Sequence, residues 1–192
     1  MFFDKLKLQT KPFHDRLEHH KLNQILFQET TNFKDYQLFL DLQYCVWNSI
    51  EMQLKLYDED LKKLDIKFNS RANDAKKELA SFGVAPSTIT FDTTTISNLP
   101  ALLGALYLME GSRHGGMVIL KKIKEFAPQN HSFLFLEMNR ELFQKRWQSL
   151  LGALLTFASK SQKDDDKLIT TIGELYILIE RFYDEYATIN KL

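Results

Sequence analysis

Three features of the sequence predict an all-α, single-domain protein. The 192-residue chain contains only 7 Gly and 4 Pro residues, and such a small number of helix-breaking residues favours long helices. Apolar residues recur with the spacing of amphipathic helices along most of the chain. The length and the hydrophobic fraction of 44% suit one domain with a sizeable core. Because neither an internal repeat nor a low-complexity linker divides the chain, we expect residues 1–192 to form one unit.

The expected helices follow this periodicity in order. They cover about Asp4–His20, Leu22–Phe27, Phe33–Tyr57, Arg71–Phe82, Pro100–Ala127, Ser132–Ser159 and a last segment that begins at Asp164-Asp165-Asp166 and runs to about Ile189. Pro100 suits a first helical turn after Asn98, and Pro128 ends the same helix. The three Asp residues place negative charge where a helix N-terminus favours it. The Thr-, Ser- and Pro-rich stretch 83–98 is predicted to be a long loop, because its β-branched residues disfavour helix.

Charge and cysteine content argue against several classes of protein. Lys and Arg (25) balance Asp and Glu (25), whereas a general nucleic-acid binder usually has a basic excess. No apolar run reaches the roughly 18 residues that cross a membrane, and the N-terminus does not resemble a signal peptide. Cys45 is the only cysteine, so no internal disulfide can form. We therefore expect a cytoplasmic protein that binds neither nucleic acid nor membrane.

The first helix carries a candidate iron ligand. On a helical wheel one face is apolar and consists of Phe3, Leu6, Thr10, Phe13 and Leu17. His14 lies at the border of that face, with Lys7, Lys11 and Glu18 beside it. An imidazole between apolar and cationic surfaces suits a flat amphipathic ligand such as heme, whose iron binds neutral imidazole and whose propionates bind cations. An ordinary histidine at the edge of an amphipathic helix would look the same from this segment alone.

Glycines interrupt the middle of the predicted helix that begins at Pro100. Gly111, Gly115 and Gly116 each lower helix stability by about 1 kcal/mol relative to alanine, so some gain elsewhere is expected. Gly111 and Gly115 share one face and would form a ledge that a flat ligand could approach closely. Close packing of two helices through small residues is the alternative, although the additional Gly116 favours a bend.

The two segments together resemble the heme oxygenase family. Thr10–Glu18 (TKPFHDRLE) is similar to the proximal helix of the family, and Leu106–Gly116 (LYLMEGSRHGG) is similar to its glycine-bearing distal helix. Tyr44 and Glu51 also fall in register. The resemblance covers nearly the whole chain and is closest to the bacterial branch often found beside bacteriophytochromes.

The resemblance implies a helical bundle in which heme lies between the first helix and a kinked distal helix. His14 matches the proximal iron ligand, and Gly111 and Gly115 match the glycines whose backbone covers the distal face. Lys7 and Lys11, with Arg140 and Arg146, match basic positions near the propionates, and Phe182 matches an aromatic wall of the pocket. The full set of heme-binding candidates is Lys7, Lys11, His14, Glu18, Gly111, Gly115, Gly116, Arg140, Arg146 and Phe182.

The implied activity is oxidative cleavage of heme to biliverdin, CO and Fe²⁺. It consumes O2 and electrons, which ferredoxin or a flavoprotein reductase supplies in the family. Many members have an aspartate after the first distal glycine, where it organises the waters that deliver protons. Here that residue is Ser112, so Ser112 or backbone-held water would have to serve.

A second departure is Arg113-His114, where small or apolar residues are expected. His114 could face another helix, donate a hydrogen bond to distal water or coordinate the iron.

Three other functions of the protein also stay open. One is a protein that stores or senses heme without cleaving it, and another is a non-heme di-iron enzyme that uses Glu110, His114 and Glu51. The third is a helical protein without small-molecule chemistry.

Overall fold

The computed structural model describes residues 2–128, 131–158 and 162–191. It confirms the all-α prediction, since the described residues form helices and connecting loops. The helices are α1 Phe2–Glu18, α2 Lys21–Gln24, α3 Phe33–Leu56, α4 Asp58–Lys63, α5 Arg71–Ser81, α6 Leu99–Gly111, α7 Arg113–Ile123, α8 Arg140–Ala158 and α9 Gln162–Ile189, with a 3-10 turn at Ile25–Phe27. None of the helices in these ranges is long and apolar enough to span a membrane.

The start of α8 differs from the sequence prediction. Helix was expected from Ser132, but it begins at Arg140, because Asn139 caps it: the Asn139 Oδ1 accepts a hydrogen bond from the Leu142 amide at 3.0 Å. The residues before the cap form a turn that buries Phe133 and Phe135. The predicted end at Ser159 lies outside the described residues. The charged stretch after α3, which was not assigned a helix, contains the short helix α4.

The helix predicted from Pro100 to Ala127 is divided in two at Ser112. α6 ends at Gly111 and α7 begins at Arg113. Ser112 itself keeps helical backbone angles (φ −64°, ψ −18°), and its amide still bonds to the Leu108 carbonyl at 3.0 Å. The break therefore falls beside the glycines that the sequence singled out.

α6 is the central helix of the bundle. Nine of its residues are buried, from Ala101 to Glu110, as expected of a helix that is apolar on all sides. It packs against α9 and α8, while α3 packs against α5 and α1 packs against α9. α9 thus lies between the helix with the candidate iron ligand and the helix with the glycines.

The contact of α1 with α9 combines one close approach with polar pairs. Gly173 faces Phe13, and a Cβ at Gly173 would lie 3.1 Å from the Phe13 ring. Two ion pairs tie α1 to α9, Lys5 to Asp166 at 2.5 Å and Arg16 to Glu180 at 2.8 Å. His20, just after α1, adds a contact with Asp184 at 3.2 Å.

Gly173→Leu is expected to lower the free energy of unfolding by about 1–3 kcal/mol, because the new side chain overpacks the Phe13 contact. Gly152→Leu is the matched control: it also lies inside a helix, and a Cβ there would meet nothing within 4 Å. Urea unfolding followed by circular dichroism measures both. Equal midpoints for the two variants would show that α1 and α9 are not closely packed at this point.

Candidate functional site

His14 lies on an exposed part of α1, and its side chain is 58% exposed. Its ring packs edge-on against Tyr176 of α9, with centroids 5.9 Å apart. The His14 Nδ1 faces two carboxylates of its own helix, Asp15 at 3.8 Å and Glu18 at 3.7 Å. A carboxylate beside Nδ1 favours the proton on that nitrogen and leaves the Nε2 lone pair for a ligand. Neither distance is short enough for a hydrogen bond, so Asp15 and Glu18 are electrostatic neighbours of the imidazole.

The two lysines predicted to be near the propionates are exposed on α1. The Lys11 ammonium binds both oxygens of Asp15, at 2.6 and 2.8 Å. Lys7, one turn earlier, lies on the same side of the helix because residues four apart share a face. Both lysines therefore lie on the same helix as His14.

The three distal glycines have different surroundings. A Cβ at Gly115 would meet nothing within 4 Å, whereas one at Gly111 would lie 3.6 Å from the Trp147 ring. A Cβ at Gly116 would lie 3.7 Å from the side chain of Leu136, and Gly116 is buried. Gly115 thus has an open face, Trp147 covers Gly111, and Gly116 packs against the protein interior.

Aromatic side chains that the sequence analysis missed pack against His14 and against the glycine segment. Tyr176 of α9 packs on His14, and burial raises the pKa of the Tyr176 hydroxyl. Trp147 of α8 covers Gly111 and packs on Tyr107 of α6 with centroids 5.3 Å apart. Each of the two segments that the resemblance pairs is therefore in contact with a large ring from another helix.

Phe182, the aromatic residue expected beside the heme, lies buried elsewhere on α9. It packs against Phe91 at 5.7 Å and Tyr186 at 6.3 Å between ring centroids. The aromatic contact of α9 with His14 comes instead from Tyr176. The spacing of residues on the last helix could not show whether Phe182 or Tyr176 contacts His14, because both side chains are large rings that point toward the bundle.

Arg146 is directed toward a buried carboxylate. Glu110 and Arg113 are both buried and form an ion pair at 3.2 Å. The Arg146 guanidinium lies 3.9 Å from the same Glu110 oxygen, and its side chain is only 16% exposed. Arg140, by contrast, is exposed at the start of α8. The two arginines expected to act together therefore have different surroundings.

Ser112 is bound to a buried arginine that the sequence analysis did not single out. Arg71 of α5 donates a hydrogen bond from Nη1 to the Ser112 Oγ at 2.8 Å, and the Ser112 hydroxyl donates to the Met109 carbonyl at 3.0 Å. The guanidinium lies 4.1 Å above the Phe135 ring, and burial lowers the pKa of Arg71 to about 9. Arg71 and Ser112 are 41 positions apart in the chain, so no local pattern could have paired them.

The di-iron alternative lacks converging ligands. Glu51 accepts hydrogen bonds from the Ala72 amide at 3.0 Å and from the Ser70 hydroxyl, and Glu110 is engaged with arginines. Within the described ranges, the one group of three or more potential metal ligands that converge is His14, Asp15 and Glu18. All three come from a single helix, whereas a di-iron site needs ligands from several helices.

Two cavities lie away from the predicted site. One, of about 520 Å³, has walls that include Met117, Leu120 and Leu134. The other, of about 250 Å³, includes Tyr44 and Lys76. No residue predicted to bind heme lines either of them.

A known structure is similar to this protein in fold. Neither a protein-family model nor a curated protein matches the sequence. The structure superposes on a heme oxygenase from Neisseria meningitidis, solved with NO and CO bound, with a TM-score of 0.77 and 17% sequence identity. The match covers 97% of this chain and 92% of the other. The chain has the heme oxygenase fold. The resemblance inferred from two short motifs thus extends to the arrangement of nearly all its helices.

The residues at the candidate site suit heme, the ligand that this fold implies. The His14 imidazole is exposed beside cations, the face of Gly115 is open, and aromatic rings pack against His14 and against the glycine segment. These groups match an iron ligand, a flat backbone surface and apolar walls. Trp147 covers Gly111, so a flat ligand reaches that glycine only after the indole turns aside.

Proposed function

We propose that the protein is a heme oxygenase, which cleaves heme to biliverdin, CO and Fe²⁺ with O2 and electrons from ferredoxin or a flavoprotein reductase. What supports the proposal is that a bundle with this fold carries the exposed imidazole of His14 and the open face of Gly115. Bound heme supplies the iron at which O2 is activated.

On the proximal side, α1 holds and orients the ring. His14 would hold the iron of bound heme through Nε2, and the Glu18 carboxylate, 3.7 Å from Nδ1, would favour the proton on that nitrogen. Lys7 and Lys11 stay in solvent at the rim, where ammonium groups attract the propionates.

On the distal side, Ser112 is the group placed to pass a proton. Its Oγ accepts a hydrogen bond from the Arg71 Nη1 at 2.8 Å, so a proton that leaves the hydroxyl has a cation beside it to stabilise the remaining charge. Burial and the Phe135 ring, 4.1 Å from the guanidinium, hold Arg71 in this position. Trp147 shields the face of Gly111, whereas the face of Gly115 stays open.

The experiment begins with hemin titrated into the purified protein without oxygen, followed by a reductant and then air. Heme oxygenase activity predicts a one-to-one complex whose Soret band disappears after oxygen is admitted, with a green product and CO. Catalase added throughout removes free peroxide, which could bleach heme without the enzyme. A complex that survives many cycles of reduction and air would refute the proposal.

A heme carrier is the second candidate, and one observation favours it. The Ser112 hydroxyl is already engaged by Arg71 and the Met109 carbonyl, which turns it toward the interior. A carrier would give the same hemin complex with no loss of the Soret band in air, so the experiment above separates the two functions.

Gly115→Leu distinguishes a ligand surface from a packing site. The substitution meets nothing within 4 Å, so we expect the free energy of unfolding to stay level or rise by up to about 1 kcal/mol. Heme binding is nevertheless expected to weaken by about tenfold or more, because a side chain on the ledge overpacks the ligand. Gly152→Leu is again the control, and hemin titration with urea unfolding measures both properties. Unchanged hemin affinity would exclude the ledge as a binding surface.

A further inference from the structure

His114 is the last of the three residues between Gly111 and Gly115, the two glycines proposed to face the ligand. It follows Gly111 by three residues and precedes Gly115 by one, so its side chain leaves the helix within about 60° of the Gly111 direction. Its Nδ1 lies 3.1 Å from the Gly111 carbonyl oxygen. A carbonyl only accepts hydrogen bonds, so Nδ1 carries the proton and Nε2 presents a lone pair.

Two rings of α8 hold the imidazole in place. Phe143 lies 4.9 Å and Trp147 lies 5.6 Å away between centroids, at interplanar angles of 80° and 74°. One of the three roles considered for His114, contact with another helix, is therefore present. These contacts orient the ring without engaging Nε2, for which the described ranges provide no hydrogen-bond partner, and His114 remains exposed.

Aromatic rings pack against both imidazoles. Trp147 packs on His114 and on Tyr107, and Tyr176 packs on His14. Each of these exposed imidazoles thus lies beside large aromatic side chains. His14 belongs to α1, and His114 belongs to the segment that would cover the opposite face of a flat ligand.

We infer that His114 is a second axial ligand, which binds the ferric iron of heme through Nε2 on the face opposite His14. The inference rests on the proposed heme binding and goes beyond it. Coordination here is a ligand exchange: Nε2 donates its lone pair, Nδ1 keeps its proton, and a water is displaced. With both axial positions occupied by imidazole, O2 reaches the iron only after His114 leaves, so release of His114 gates the reaction.

The test compares the hemin complexes of wild type and His114→Ala by visible absorption and electron paramagnetic resonance at neutral pH. Two imidazoles give a low-spin ferric spectrum in the wild type. His114→Ala loses that spectrum and becomes high-spin, because water replaces the missing ligand. Added free imidazole restores the low-spin spectrum in the variant, which a purely structural role of His114 would not produce. Circular dichroism checks that the variant is folded.

A wild-type complex that is already high-spin, and that His114→Ala leaves unchanged, overturns the inference while heme binding by His14 stands. Failure of the wild type to form any one-to-one hemin complex refutes the proposed function instead. His19→Ala is the matched control. His19 is also exposed, and its Nδ1 likewise bonds to a nearby backbone carbonyl, that of Asp15, but it lies just past the end of α1 and not beside the glycines. This variant keeps the wild-type spectrum.

Discussion

His14→Ala is expected to weaken hemin binding by about 100-fold and to abolish turnover. Loss of a residue that only orients a metal ligand weakens metal binding by about 10- to 100-fold, and loss of the ligand itself should have at least that effect. The side chain is 58% exposed, so the fold should not suffer. Soret absorption during hemin titration measures affinity, and CO release measures turnover. Imidazole in the buffer should partly restore the Soret band of this variant, because it fills the position that the side chain leaves.

His19→Ala is the control, since it removes an exposed imidazole from the end of the same helical segment. Both its affinity for hemin and its turnover should equal those of the wild type. If His14→Ala and His19→Ala behaved alike, the proximal ligand would have to be sought outside α1.

Glu110→Ala is expected to have the largest effect on stability. Glu110 and Arg113 are both buried, with their charged groups 3.2 Å apart, and Arg146 approaches the same carboxylate at 3.9 Å. Removing the carboxylate leaves a buried guanidinium without its counter-charge, which lowers the free energy of unfolding by about 3–5 kcal/mol. That is a large part of the roughly 5–15 kcal/mol typical of a folded domain.

The matched control is Glu141→Ala, which breaks the exposed pair with Lys145 at 2.7 Å. We expect it to lose at most about 1 kcal/mol, from that pair and from the helix N-terminus. Urea unfolding gives both values, provided that the denaturant slope is unchanged. A loss for Glu110→Ala no greater than the control's would mean that solvent reaches this carboxylate.

Much of the helical framework could be predicted because its signals are local. α3 begins at Phe33, as expected, where Asn32 and Asp35 form a capping box. The start of α8 was wrong because apolar residues continue the helical periodicity backward past Asn139, although they bury themselves in a turn. Periodicity reports which residues are buried, and it does not report where a cap interrupts the helix.

The candidate site could be predicted in part for the same reason. His14 lies on the same helix as Lys7, Lys11 and Glu18, so a helical wheel can relate their positions. The bond from Arg71 to Ser112 and the approach of Arg146 to Glu110 join separate helices. A sequence gives the charge of such residues, whereas their partners depend on how the helices pack.

The way in which α1 is attached has a consequence for how material leaves the protein. Of its 17 residues only Leu6 and Thr10 are buried, and exposed ion pairs add to its apolar contacts with α9. Such a helix opens locally at a free energy below that of global unfolding. Its amide hydrogens should therefore exchange with deuterium early, and faster in high salt, which screens the pairs. If the proposed reaction takes place, the swinging of this single helix would give its bulky tetrapyrrole product a path out of the bundle.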